Sequence, residues 1–481
     1  MEFELTADAE AVAALARLKA LTGSRDGRPR SQTVKVVWHD SPEHGLAADG
    51  LTLAEHRGHW RLERIVPGTG RWLPAQPAPV VAETPDLATL PGPLAPLAAF
   101  EGRRTASVHR FDGTSVTLTV TKGVLRAVAA ERPAARILLS GDPQAVRAAA
   151  ILIAESVKAA IPLASLAAEG IALATGRPAA PRRAGPAVLP DGMTSVAEAL
   201  AYITGHLTDV ILADAPRANL PETPGVEAVH RMRVAVRRAR SALSVFRPAV
   251  EASALTAIDT GLRALGHQLG PTRDWDVFVE ETLPAIREAL PGDERLERLA
   301  SAAVRRRKEH RAALAAYLGS RTFTITAIEL AWFAAAAETW QATGETETLE
   351  LPAFSEAVLR HRWKRLVAEG KRIEELDVAG LHGVRLRAKR ARYAAEMFAT
   401  LYPEKASQRF IRRLSVLQQR LGVLNDGAVA SQLLRELGGP AGRHAYAVGA
   451  IVGYLAARAG KVRPGIVRAF EKFRRLDAYW T

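Results

Sequence analysis

The feature that most constrains this 481-residue chain is an internal duplication in its C-terminal half. Val229–Phe246 reads VHRMRVAVRRARSALSVF, and Leu381–Phe398 reads LHGVRLRAKRARYAAEMF. At a constant offset of 152 residues His230 falls on His382, Arg233 on Arg385, Arg237 on Lys389, Arg238 on Arg390, Arg240 on Arg392 and Phe246 on Phe398. The offset continues without a gap, setting Leu262, Leu265, Leu269, Gly270 and Asp274 on Leu414, Leu417, Leu421, Gly422 and Asp426. A repeat of this length with helical spacing predicts two copies of one helical unit, each a four-helix bundle.

Placed on a helix at about 100° per residue, with His230 at 0°, Arg233 falls near 300°, Arg237 near 340° and Arg240 near 280°. One imidazole and three guanidiniums share a narrow stripe. Met232, Val236, Ala239 and Leu243 form the adjacent apolar stripe that faces the core. The second copy repeats the pattern with His382, Arg385, Lys389 and Arg392. Arg238 and its mate Arg390 sit about 80° away, off the main row. Like charges at i,i+3 and i,i+4 repel, so a helix gains nothing for itself by stacking them. Two such rows, one per bundle, would make a cationic groove suited to a linear polyanion. Against this stands the solvated or carboxylate-paired face that a single Arg row usually is.

Charge composition agrees with a polyanionic partner. Basic residues exceed acidic ones by 65 to 51, and from Asp191 onward by 43 to 33, so most of the +14 lies in the repeat. The chain has 54 Arg and 11 Lys; a GC-rich genome produces that bias as readily as phosphate recognition does. With no cysteine, thiolate metal sites, iron–sulfur clusters and cysteine nucleophiles are excluded. The opening MEFELTADAE lacks the apolar core of a signal peptide, and no run approaches about 20 uninterrupted apolar residues, so a soluble cytoplasmic chain with no membrane partner is expected.

Gly176–Met193, rich in proline and glycine, reads as an interdomain linker. Residues 1–175 before it carry short β-prone runs (Gln32–Trp38, Ser115–Val120, Arg136–Leu139), turn signals at Asp49-Gly50 and Asp112-Gly113, and helical stretches near Ala7–Leu21 and Pro143–Ala160. That predicts an α+β domain on antiparallel strands, followed by an all-α domain over 194–481 with repeats near 194–340 and 350–481. Helix breaks are expected at Ala215–Pro224, Pro271–Arg273, Pro291–Asp293, Gln341–Leu349 and Gly438–Gly442. In Thr-Arg-Asp-Trp-Asp, 272–276, Asp274 and Asp276 read as a helix cap, as anchors for the Arg row, or as a metal or acid/base pair. The run Arg305–Lys308 either extends the cationic face or is solvated surface.

The repeated V/L-H-x-x-R-x-x-x-R/K-R-x-R unit, followed by L-G-x-x-R/N-D, resembles the CHAD domain, the conserved-histidine α-helical domain. The likeness spans about Thr194 to Thr481. It implies two pseudosymmetric four-helix bundles around a basic cavity, binding of inorganic polyphosphate, and association with polyphosphate granules in bacteria. The implied binding positions are His230, Arg233, Arg237, Arg238, Arg240, His382, Arg385, Lys389, Arg390 and Arg392, with no cofactor and no metal.

The N-terminal region is similar to a degenerate CYTH domain, a triphosphate-tunnel fold. Glu2-Phe3-Glu4-Leu5-Thr6 resembles the family's E-x-E-x-K opening with Thr6 in place of the lysine, and Val37–Arg57 resembles its Y-D-T-P…L…G-x-x-L-R-x-R segment with Ala54 in place of an arginine. Lys122 stands where an aspartate precedes Gly123, and ARILLS, 135–140, lacks the expected glutamates. Tunnel chemistry needs several carboxylates to hold divalent metal. Only Glu2 and Glu4 remain, so a tunnel domain without catalysis, serving to dock or position the chain, is expected.

The sequence thus predicts a non-enzymatic polyphosphate-binding protein. A metal-dependent triphosphatase or polyphosphatase is the first alternative, and a nucleic-acid binder the second; no aromatic residues interleave with the Arg rows to stack bases. If the histidines engage phosphate as cations, binding should strengthen as pH falls through about 6.5.

Overall fold

Alternating apolar and polar residues draw the N-terminal region into one curled antiparallel sheet. Its strands are β1 (Glu2–Ala7), β2 (Arg25–Asp40), β3 (Leu51–His56), β4 (His59–Arg64), β5 (Val80–Ala82), β6 (Ala95–Phe111), β7 (Thr114–Ala127), β8 (Ala130–Gly141) and β9 (Ala159–Ala160). They lie in the order β5-β4-β3-β2-β6-β7-β8-β1-β9. The computed structural model describes residues 1–65, 75–111, 113–177, 185–220, 222–250, 252–336 and 349–480. Asp112 of the predicted Asp112-Gly113 turn, 178–184 of the predicted linker, Pro221 of the predicted 215–224 break and 341–348 of the predicted 341–349 break lie outside them.

The register sorts the sheet's two faces. Phe3 and Leu5 pair with Leu139 and Ile137, and Leu118 with Leu139; all five are buried on the face carrying the helix Pro143–Ser156. That helix starts where Asp142 accepts from the backbone N–H groups of Gln144 (2.9 Å) and Ala145 (3.1 Å), with proline at its first position. It ends at Ser156 rather than at the predicted Ala160, because Val157 turns extended and Ala159–Ala160 joins the edge of β1. The predicted helix over Ala7–Leu21 is likewise two short helices, Ala9–Leu15 and Lys19–Ser24.

The opposite face, which bears Glu2 and Glu4, is covered by the helix Leu166–Thr175. Val34, Trp38, Phe100 and Leu125 of the sheet pack there against Ala167, Ala168 and Ile171. Gly170 lies so close to Trp38 that a Cβ would stand 3.1 Å from the indole ring. Glu169 reaches back to Arg132 (2.8 Å) and Arg136 (2.7 Å). Arg136, with 5% of its side chain exposed, also donates to Thr6 (3.0 Å) and lies 3.8 Å from Glu4. Burial pushes the Glu4 carboxyl up to about 7, against the pull of Arg136.

Beyond this region the chain is helical. Val196–Asp214, Glu222–Phe246, Ala252–Val277 and Glu294–Leu318 recur in order as Leu351–Glu369, Val378–Met397, Glu404–Glu436 and Ala445–Gly460. Leu262, Leu265 and Leu269 are fully buried, as are their repeat mates Leu414, Leu417 and Leu421. Helix Ala252–Val277 runs straight through the predicted break at Pro271–Arg273. An internal proline costs about 3 kcal/mol, but the leucines before it and Trp275 after it are fully buried and hold the helix on course. The Thr272 hydroxyl adds a hydrogen bond to the Gln268 carbonyl (2.9 Å). Turns do interrupt the chain near 215–220, at Pro291–Asp293 and near Gly438–Gly442.

The chain divides into two compact units. One comprises Met1–Ala184, Thr204–Ala213 and Gly319–Trp340; the other comprises Gly185–Ile203, Asp214–Leu318 and Gln341–Thr481. Helix Arg321–Ala335 thus belongs with the sheet. Its Glu329 takes a bidentate pair from Arg147 (2.7 and 2.8 Å), and its Trp332 indole donates to the Pro143 carbonyl (2.7 Å). Among the described residues one helix, Val196–Asn219, is long and apolar enough to cross a membrane, and 78% of its most apolar window is buried within the protein.

Candidate functional site

Within the helical unit the two repeat copies meet at a cavity of about 220 Å³. Helix Glu222–Phe246 supplies His230, Arg233 and Arg237; helix Val378–Met397 supplies Arg385. The L-G-x-x-R/N-D motif supplies the rest of the polar lining as Arg273-Asp274 from one copy and Asn425-Asp426 from the other. The apolar wall is again contributed twice, by Val277 and Phe278 and by Val429, Ala430 and Leu433. A π-helical turn over Phe278–Thr282 follows the motif in the first copy and presents Phe278 and Thr282 to the space.

The electrostatics of the cavity are unbalanced. Asp274 pairs with Arg233 at 3.2 Å. Gly270 makes room for that guanidinium, since a Cβ there would lie 3.0 Å from Arg233 Nη1. Half-buried Lys389 stands among Arg237, Arg385, Arg233 and Arg392, and burial together with these cations pushes its ammonium down to about 7. Arg237 is held below its ordinary range by burial and by Arg233, Arg392 and Arg385, and Arg385 by burial and Arg233. The buried Nε groups of Arg237, Arg385 and Arg392 have no hydrogen-bond partner among the described residues. A buried charged donor left unpaired is costly; Arg392 still meets Glu396 through Nη1 at 3.5 Å, whereas Arg237 and Arg385, beside one cavity, match an anion that accepts from both.

The model of the CHAD domain family matches residues 201–435. A solved CHAD domain from the plant Ricinus communis is similar to this chain at 30% sequence identity with a TM-score of 0.53, covering 62% of this chain and 98% of its own. The chain belongs to the CHAD domain family. PptA from Streptomyces chartreusis is also similar, at 19% identity with a TM-score of 0.44, covering 57% of this chain and 99% of its own. No curated protein matches the chain.

Of the ten positions expected to bind in this CHAD domain, His230, Arg233, Arg237 and Arg385 line the cavity, while Lys389 and Arg392 crowd its cations. His382 is exposed and does not line it. Arg240 pairs with Asp259 (3.1 Å), which Arg263 shares. Arg238 gives two hydrogen bonds to Glu396, at 2.9 and 3.2 Å, and lies over the Tyr393 ring. Arg390 is exposed on another face of its helix. The His230 imidazole is held below its ordinary value by burial, Arg273 and Arg237. Its charging therefore falls below the expected window near 6.5.

The Thr272–Asp276 segment caps nothing, because it lies inside a helix. Asp274 anchors the Arg row, and burial raises its carboxyl, as it does that of its mate Asp426. Asp276 is fully buried and accepts from Arg307 (2.7 Å) and Arg311 (3.1 Å), tying down helix Glu294–Leu318. The Arg305–Lys308 run is thereby partly spent on structure, as Arg307 pairs with Asp276 and Arg306 with Glu309 (2.7 Å). Among the described residues no group of three or more His, Asp or Glu could hold a metal ion. The sequence reading passed over Arg273, Asn425 and Asp426 as binding residues, although the repeated R/N-D pair carried the signal.

Proposed function

We propose that the CHAD region binds inorganic polyphosphate in the cavity where its two repeats meet, and that it does so without turning the polymer over. The observation that carries this reading is the cluster of Arg237, Arg385 and Lys389, drawn from both copies and, among the described residues, with no carboxylate at ion-pair distance. Guanidiniums suit phosphate because their planar fork can bind two oxygens at once. A chain of phosphates carries one charge per unit along its length and meets each cation in turn. Arg233 sits one helical turn from Arg237 and His230 about two, and they extend the row. Asp274 and Asp426, with their carboxyls pushed upward by burial, release Arg233 and Arg385 more readily than exposed carboxylates would.

The absence of turnover is inferred from the sheet unit. The face that bears Glu2 and Glu4 is packed with Trp38, Phe100 and Leu125 beneath the helix Leu166–Thr175, which leaves apolar core where a tunnel would hold its substrate. A polymer-binding chain of this kind would reside in the cytoplasm on polyphosphate granules. Titration of the full chain with long-chain polyphosphate tests the binding. Competition by single-stranded DNA of equal charge, and phosphate release in the presence of Mg²⁺, test the two rival functions. Tight binding that DNA does not displace, with no phosphate released, is the expected result.

A further inference from the structure

The duplication is broken at the Arg238–Glu396 ion pair, and the break exposes a second cationic cluster. Arg238 of the first copy is neutralised by Glu396 of the second. At the offset of 152 residues Arg238 corresponds to Arg390, and Glu396 to Ser244. The symmetry-related pair therefore lacks its carboxylate. Exposed Ser244 instead meets Arg362 Nη2 at 3.5 Å.

Around that position two helices converge their charges. Leu351–Glu369 brings His361, Arg362 and Arg365, and Val378–Met397 brings Arg387 and Arg390. Arg362 is held below its ordinary range by burial and by Arg390, Arg365 and Arg387; His361 is lowered by burial, Arg365, Arg362 and Arg387. Glu369 neutralises Arg387 and Glu356 pairs with Arg360. Among the described residues His361, Arg362, Arg365 and Arg390 have no carboxylate partner. Like charges brought this close repel, and neither helix needs them for its core, which is formed by Leu359, Leu366, Val384, Ala388 and Ala391.

We propose that Ser244, His361, Arg362, Arg365 and Arg390 form a second anion site that takes a phosphate group, separate from the cavity. Several converging guanidiniums match the oxygens of a phosphate, and the serine hydroxyl adds a neutral donor where the sister position holds a competing carboxylate. The site stands on its own residues and does not require the cavity to bind anything. The phosphate could come from a short free anion or from a segment of a polymer, and the two sources separate by titration.

The test uses the full chain at low salt, titrated with pyrophosphate and, separately, with long-chain polyphosphate. Ser244→Glu restores the carboxylate that symmetry would place there, on an exposed residue; Ser244→Gln controls for size, and R362A/R390A removes the cations instead. The expected result is that pyrophosphate binding at one site is lost in Ser244→Glu and in R362A/R390A, and only weakened in Ser244→Gln, which replaces the hydroxyl with an uncharged amide donor. That site should also survive the cavity variant R237A/R385A/K389A. Weakening of roughly tenfold for long polyphosphate in Ser244→Glu would identify a polymer segment as the occupant, and an unchanged value a free short anion. Pyrophosphate isotherms unchanged by both Ser244→Glu and R362A/R390A would overturn the proposal, as would loss of all pyrophosphate binding in the cavity variant. A cavity variant that binds polyphosphate normally would count against the cavity reading alone.

Discussion

Arginines drawn wholly or partly out of water occur in both units of this molecule and serve opposite ends. In the sheet unit Arg136 lies between Glu169 and Glu4 with its charge answered on both sides, and it ties a strand to a covering helix. In the helical unit Arg237, Arg385 and Lys389 lie against one another, and their carboxylates are few. A paired buried charge is part of the fold, because removing one partner strands the other. Crowded like charges work against the fold and persist where a ligand completes them. The difference shows which cationic residues to assign to structure and which to binding.

Substitutions on the two sides should separate stability from affinity. Arg136→Ala should destabilise the sheet unit by about 1–3 kcal/mol, since Glu4 loses its cation and Glu169 keeps only the more exposed Arg132. Hydrogen exchange would place that loss in β1 and β8, and polyphosphate affinity should be unchanged. R237A/R385A/K389A should do the reverse, weakening polyphosphate binding by at least about 100-fold with no drop in Tm, because repelling charges have been removed. A cavity variant that unfolds early would break the comparison.

Two titrations sharpen it further. Lys389, with its free-state value pushed down to about 7, should have that value raised by a bound polyanion. Affinity is then full below about 7 and declines as pH rises through the higher value of the complex. Binding measured between pH 6 and 9 should show this decline, and Lys389→Arg should flatten it. Glu4 has its folded-state value raised to about 7 from 4.5, so the folded form holds a proton that the unfolded form has released. Stability from this group is therefore highest below 4.5 and is lost as pH rises toward 7. Glu4→Gln should raise the stability of the sheet unit by about 1–3 kcal/mol at pH 8 and leave it unchanged at pH 4.

The duplication made the helical half readable. A 152-residue offset between the Arg rows, with Met232, Val236, Ala239 and Leu243 beside the first, placed the buried face and the cationic face on the same helix. Pro271 was misleading because local propensity favours a break there, while the leucines before it and Trp275 after it impose continuity. The site was less legible than the fold. Periodicity shows which way a side chain points from its own helix, and it cannot show what the facing helix offers. Arg238 and Arg240 share their helix with the cavity residues, yet Glu396 and Asp259 take them. Arg273, Asn425 and Asp426 come from a different element and join the cavity only when the repeats meet. The sheet's register was likewise out of reach, and with it the covering of the Glu2 and Glu4 face by Leu166–Thr175.

The most direct test of the central claim is a calorimetric titration of the full chain with long-chain polyphosphate, run beside R237A/R385A/K389A with single-stranded DNA as competitor. The account predicts tight binding that DNA does not displace and that the triple substitution abolishes while the protein stays folded. Equal affinity for DNA, or undiminished binding by the folded variant, would contradict it and reduce the cavity cations to generic positive charge.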